Sequence, residues 1–190
     1  MPSWARSEAP PAATLVAVTT FPLRSLKLRP GEERRIELDV VIEPFHLGGS
    51  AYPADSPVAA TFVVQRAVSG DVYRLQLETT LRGPCMRCLA PAAVAVEIDA
   101  RDYEAEDGNA PAELHTEYVR DGDLDLSAWA RDQVAFALPE QILCRPDCAG
   151  LCPVCGRDLN VEPHTHEDDS VDSRWAALEA LRGPAASGGG

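Results

Sequence analysis

Between Cys144 and His166 the chain reads CRPDCAGLCPVCGRDLNVEPHTH, which gathers four cysteines and two histidines into one short segment. No other stretch restricts the fold as much, because side chains that share a metal must converge on one point. Cys152-Pro153-Val154-Cys155-Gly156 is a CPxCG knuckle, whose tight turn aims two thiolates at one position while Gly156 leaves room for backbone amides to approach the sulfur. Two sulfurs on such a turn fill half of a tetrahedral zinc site. Cys144 and Cys148 lie just upstream and His164 and His166 just downstream, and all four are residue types that zinc accepts.

A second pair, Cys85-Met86-Arg87-Cys88, stands far upstream after Gly83-Pro84. A CxxC also suits a thiol oxidoreductase, in which a helix N-terminus lowers the pKa of the first thiol. Strand-like sequence both enters and leaves this pair, so no helix is expected to activate either sulfur. Metal ligation or a structural role is therefore the reading preferred for Cys85 and Cys88.

Cys85, Cys88, Cys144, Cys148, Cys152, Cys155, His164 and His166 make eight candidate ligands, enough for two four-coordinate zinc sites; one zinc is expected and two are possible. One partition joins Cys152 and Cys155 to His164 and His166 and leaves the CMRC pair to meet Cys144 and Cys148. Another builds a single site from Cys148, Cys152, Cys155 and one histidine. Closed tetrahedral sites are structural, since no coordination position is left to activate water. The chain also lacks GxSxG, GxxxxGK[ST], HExxH and dinucleotide glycine motifs, and His46 and His115 stand without an evident partner. A protein that is not an enzyme, with no small-molecule substrate, is expected.

The rest of the chain predicts an α+β fold: an antiparallel sheet or partly open barrel in the first two-thirds, and two helices flanking the Cys/His segment. Arg35 to Val40, Tyr73 to Glu78 and Val94 to Ile98 alternate polar with apolar residues, and Thr61 to Val68 is rich in β-branched side chains. Pro30-Gly31, the Gly/Pro stretch from Gly48 to Pro57 and the acidic stretch from Glu104 to Glu113 read as loops. Leu126, Trp129, Ala130, Val134, Ala137 and Leu138 recur at helical spacing after Asp123 and Asp125, up to Pro139. A second helix is predicted from about Ser170 or Asp172, with Val171, Trp175, Leu178 and Leu181 on one stripe, ending at Gly183-Pro184. Residues 1–13 and 183–190 are expected to be disordered, around a single domain over 14–182 with its knuckle segment at 144–166.

A formal net charge of −13 opposes unaided binding to nucleic acid, which needs a local excess of cations. The acids concentrate between Glu97 and Asp125 and again between Asp158 and Asp172, both read as solvated faces. Arg24, Lys27, Arg29, Arg34 and Arg35 form the one basic cluster and are the candidate contacts for a partner or RNA. No stretch approaches the roughly 18 apolar residues that span a bilayer, and no signal peptide is evident, so a cytoplasmic location without membrane contact is expected. In that reducing compartment the cysteines are better read as ligands than as disulfides.

Taken in order, CMRCL at Cys85 to Leu89, the Asp-Leu, helix, Leu-Pro run from Asp123 to Pro139, CxGLCPxCGxxLN from Cys148 to Asn160, and Val171-Asp172-Ser173-Arg174-Trp175 resemble the YceD family. LxLRPGEERR at Leu26 to Arg35 is similar too, so that the resemblance covers residues 15 to 182. His164-Thr165-His166 stands where cysteine-rich members carry Cys-x-Cys, which keeps the ligand chemistry, and Ser173 stands where proline is common. The resemblance implies a ribosome biogenesis factor that supports accumulation or processing of 23S ribosomal RNA. It would work on the maturing large ribosomal subunit, through a basic ribosomal protein or the RNA itself. The other functional class open to these residues is a zinc-ribbon nucleic-acid binder, which the sparse charge of the knuckle, only Arg145 and Arg157, disfavours.

Overall fold

The computed structural model describes residues 17–166. Its strands are β1 (Ala17–Val18), β2 (Thr20–Pro22), β3 (Glu33–Val40), β4 (Phe45–Leu47), β5 (Ser50–Tyr52), β6 (Val58–Arg66), β7 (Gly70–Pro84), β8 (Pro91–Ala105), β9 (Val119–Arg120) and β10 (Asp123–Asp125). The α-helix α1 (Leu126–Ala137) follows. The chain divides into two compact units, Met1–Cys148 and Ala149–Gly190.

The first unit is built on a five-stranded sheet in the order β1-β3-β6-β7-β8, antiparallel except for the short parallel contact of β1 with β3. A three-stranded sheet, β2-β10-β9, and the β4–β5 hairpin complete it. Alternation of side chains explains the large sheet. Leu38, Val40, Phe62, Val64, Tyr73, Leu75, Leu77, Val96 and Ile98 are buried on one face, and Arg35, Glu37, Arg74, Asp99 and Arg101 project from the other.

Helix α1 covers the buried face through Leu126, Trp129, Ala130 and Val134. The Trp129 ring meets Phe62 edge-on at 6.5 Å and lies 6.3 Å from Tyr118, so the sheet and the segment before the helix are tied to one aromatic centre. Asp125 caps the helix, its carboxylate accepting the Ala128 N–H at 2.9 Å. The Ser127 hydroxyl donates to the Val41 carbonyl and its N–H to that of Thr19, which pins the first turn to the ends of the strands.

The predicted α+β class is corrected here. Strands take 44% of the described residues and helical turns 12%, so the described part is mostly β with one α-helix, not an α+β sheet flanked by helices. The predicted second helix, the disordered ends and Trp175 lie outside the described residues. The remaining difference is extra strand. The Gly48 to Pro57 stretch holds the turn and second strand of the β4–β5 hairpin, turned by Gly48 and Gly49 at φ +57° and +83°, and β7 and β8 run for 15 residues each.

Candidate metal centres

The β7–β8 hairpin ends in the loop Cys85 to Ala90. Here the Cys85 N–H donates to the Ala90 carbonyl at 2.7 Å and the Leu89 N–H to the Cys85 carbonyl at 3.0 Å. Leu89 takes a left-handed φ of 63°, which closes the turn. Gly83 sets the approach: a Cβ there would stand 2.3 Å from the Tyr52 ring, and the Tyr52 hydroxyl donates to the Pro84 carbonyl at 2.8 Å. Glycine therefore lets the β4–β5 hairpin seat a tyrosine against the base of the loop.

Opposite this loop, the segment after α1 brings Cys144 and Cys148. The Met86 N–H donates to the Ile142 carbonyl at 2.9 Å, and the Arg87 guanidinium donates to Gln141 Oε1 at 2.9 Å and to the Cys148 carbonyl at 3.0 Å. Sequence reasoning missed this brace. Arg87 sits inside the CMRC motif, but its partners are more than fifty positions away.

The four thiols of Cys85, Cys88, Cys144 and Cys148 lie within 4.8 Å of one another. The Cys85 and Cys148 sulfurs are 3.8 Å apart and those of Cys88 and Cys144 3.5 Å. Zinc–sulfur bonds of about 2.3 Å in a tetrahedron put the sulfurs about 3.8 Å apart, so the cluster has the right size. Burial opposes ionisation of Cys85, but backbone N–H groups of Cys88, Arg87 and Cys144 aimed at its sulfur bring the thiol down to about 6. Hydrogen bonding with Cys88, with burial second, pushes Cys144 up to about 12. Neighbouring thiols resist simultaneous ionisation, and a bound cation removes that conflict.

The second unit carries its own group. Its knuckle forms as the Gly156 N–H donates to the Cys152 carbonyl at 2.8 Å and the Cys152 N–H to the Arg157 carbonyl at 2.8 Å. Gly156 has φ +73°, a conformation that favours glycine. Asn160 braces the segment, its side-chain oxygen accepting the Ala149 N–H at 2.8 Å, which gives the LN of the motif a structural role.

Cys152, Cys155, His164 and His166 offer ligand atoms within 4.8 Å of one another. His164 Nε2 lies 3.1 Å from the Cys155 sulfur, and Nδ1 lies 2.7 Å from the Glu162 carbonyl oxygen. A carbonyl can only accept, so the proton sits on Nδ1 and the Nε2 lone pair faces the sulfurs, the arrangement a metal-bound histidine uses. Backbone donors, with that of Cys155 first, hold the Cys152 thiol at about 6.

The eight ligand candidates are thus gathered as two sets of four, the arrangement of the two-site partition. The single-site alternative is not assembled among the described residues, because Cys148 belongs to the first set. The basic cluster is less coherent. Arg24, Lys27, Arg29, Arg34 and Arg35 are all exposed, but Arg34 and Arg35 are consecutive in β3 and so point to opposite faces. Arg35 pairs with Glu37 at 2.8 Å, and the Arg24 side chain lies over Gly122. His115, without an evident partner in the sequence, lies 3.0 Å from the Glu104 carboxylate.

Arg87→Ala keeps all four thiols and the Met86–Ile142 backbone bond but removes both guanidinium bonds that brace the loop. The expected result is a roughly 10- to 100-fold loss of metal affinity at the first group, read by competition with a chelator.

Comparison with known proteins adds to this geometry. The family model described as large ribosomal RNA subunit accumulation protein YceD matches residues 73–182, a span that contains both ligand sets. Uncharacterized proteins of Mycobacterium bovis and Mycobacterium tuberculosis are 40% identical over 107 residues, covering 54% of this chain and 51% of theirs. The uncharacterized protein YlbN of Bacillus subtilis is 28% identical over 102 residues, 52% of this chain and 58% of its own. The matched region spans about half the length of these relatives. No solved structure matches the chain. Among the described residues, no helix is long and apolar enough to cross a membrane.

Proposed function

We propose, from the premise that this chain belongs to the YceD family, that it is a non-catalytic factor acting while the large ribosomal subunit matures, so that its 23S ribosomal RNA accumulates. The family match over residues 73–182 carries this reading. In the same reading both ligand sets hold zinc. All-sulfur and mixed sulfur–imidazole sets of four suit that ion, and four protein donors complete its tetrahedron without leaving a position for water or substrate. Zinc then acts as a staple, supplying folding free energy and no chemistry.

The charge of the chain favours contact through a basic ribosomal protein over broad contact with RNA, since the formal net charge is −13. Within the knuckles, Arg157 is paired with Glu162 and Arg145 with Asp147, so little positive charge is left there for phosphates. The reading extends to a cytoplasmic location, where ribosomes assemble and thiols stay reduced.

The lowered Cys85 thiol favours a second reading, thiol–disulfide exchange at Cys85 and Cys88. Against it, the Cys85 side chain is completely buried and three other thiols surround it.

Depletion of the protein in its own cells is the test. A smaller free large-subunit peak on a sucrose gradient, with unprocessed large-subunit rRNA, is the expected result. Unchanged subunit profiles and precursors would refute the ribosomal role.

A further inference from the structure

One of the two 15-residue strands, β8, is also an edge of the sheet among the described residues. β8 pairs with β7 along all 15 of its residues, and no strand pairs with its other side among the described residues. The Cys85 N–H to Ala90 carbonyl bond at one end and the Glu106 N–H to Ser69 carbonyl bond at the other fix which way its backbone groups turn. Even-numbered residues face β7. Odd-numbered residues, Ala93, Ala95, Glu97, Asp99 and Arg101, turn their N–H and C=O groups outward. Past Arg101 the edge is flanked, because the Asp102 and Glu104 carboxylates accept from Thr116 and Glu104 also pairs with His115. The free stretch is therefore Ala93 to Arg101.

An exposed edge of this length is a pairing template that proteins normally blunt. Here the two middle guards, Glu97 and Asp99, are acidic, and the one cation of the stretch, Arg101, stands at its end opposite Arg74. Glu97 sits directly opposite Glu78, and neither carboxylate has a hydrogen bond or ion pair among the described residues. Like charges placed opposite each other cost stability, and an arriving cation would relieve that cost. Asp99 lies next along the same face, already held by Arg74. On the opposite face, the side chain of Phe136 on α1 is 81% exposed and borders a groove of about 240 Å³ with Ile98, Ala100 and Gln133.

We propose that the outer edge of β8 between Ala93 and Arg101 is a docking site for an extended basic segment of a partner protein, which adds to the sheet as one more strand. Strand geometry then fixes the pattern of the segment. Side chains beside Glu97 and Asp99 fall on the wet, acidic face and are lysine or arginine; alternate ones fall beside Ile98 and Ala100, against Phe136, and are apolar. Main-chain bonds supply affinity, the carboxylates select a cationic partner, and Phe136 fixes the register. The same carboxylates oppose pairing between two copies of β8 and oppose nucleic acid. The surface stands apart from the ribosomal role: failure of the depletion test leaves it intact, and its failure leaves that role intact.

The test is amide hydrogen exchange by NMR on the full, zinc-loaded chain, with a short synthetic peptide alternating lysine and valine as the probe. On saturation the Ala95, Glu97 and Asp99 amides should become at least about tenfold slower to exchange. A peptide alternating glutamate and valine should leave them unchanged. Ala95→Pro deletes one outward N–H at a position where an edge strand tolerates proline, and should weaken peptide binding at least about tenfold while inner β7–β8 amides keep their protection. Glu97→Lys and Phe136→Ser, both at exposed side chains, should each weaken binding and carry the test if the proline variant does not fold. Outward amides already protected in the free chain, a self-associated chain that Ala95→Pro dissociates, or peptide binding insensitive to all three variants would each overturn the proposal.

Discussion

Cys85→Ser is expected to cut zinc from two ions per chain to one and to destabilise the first unit by several kcal/mol. The Cys85 side chain is completely buried, and its sulfur lies 3.8 Å from that of Cys148 and within 4.8 Å of those of Cys88 and Cys144. Serine cannot supply a thiolate. The ion is lost and three thiols are left facing one another at the tip of the longest hairpin. The upper bound is the roughly 10–16 kcal/mol of apparent binding free energy that structural zinc contributes in finger peptides. Metal analysis of the purified variant together with denaturant unfolding checks both parts. Cys152→Ser is the paired control, because its ligand set lies wholly in the second unit. It should also lose one ion, yet leave the near-ultraviolet signal of the Trp129 environment unchanged. Retention of two zinc ions by Cys85→Ser, with a new disulfide-exchange defect instead, would shift the reading to redox chemistry.

Trp129→Ala is the largest effect expected away from the metal. Trp129 is 1% exposed, and it joins Phe62 of the sheet to Tyr118. Truncating a buried aromatic leaves a cavity that a packed sheet cannot collapse, and costs about 3–5 kcal/mol. The midpoint of urea unfolding should fall accordingly with zinc stoichiometry unaltered. A loss below about 1 kcal/mol would mean that Trp129 is not the anchor of the helix.

The two variants fall on opposite sides of what could be read in advance. Trp129 was legible, because Leu126, Trp129, Ala130 and Val134 carry the helical period in a local window and α1 ends one residue from Leu138. Asp125 was legible as a helix start for the same reason. Both knuckles were legible as ligand pairs, since each pair is only a few positions apart. The meeting of Cys85 with Cys148 could only be offered as one of two partitions, because it depends on where β7 and the end of α1 arrive in space. The α+β class failed for a related reason. Tyr73 to Glu78 alternates cleanly, but Gly83, Pro84, Pro91 and the alanines beside them hide the rest of the long hairpin. Gly48-Gly49 and Pro53 read as loop where two three-residue strands pair. Within the basic cluster, adjacency in sequence becomes opposition across a strand at Arg34 and Arg35, which the sequence alone does not display.

The two ligand sets also differ in how much chain each must close, and this bears on the order in which the molecule assembles. Cys155 and His164 are 9 residues apart, whereas Cys85 and Cys148 are 63 apart and Cys88 and Cys144 are 56 apart. Closing the longer span costs more configurational entropy, and the sheet must lower that cost before a metal can exploit it. The knuckle near the C-terminal end can capture its ion as a nearly local event while the rest of the chain is still unfolded. The four-thiol set can capture its ion only once β7, β8 and α1 have come together. In the proposed zinc reading, an ion in the four-thiol set would record the completion of the fold, and an ion in the knuckle only that the segment carrying it has been made.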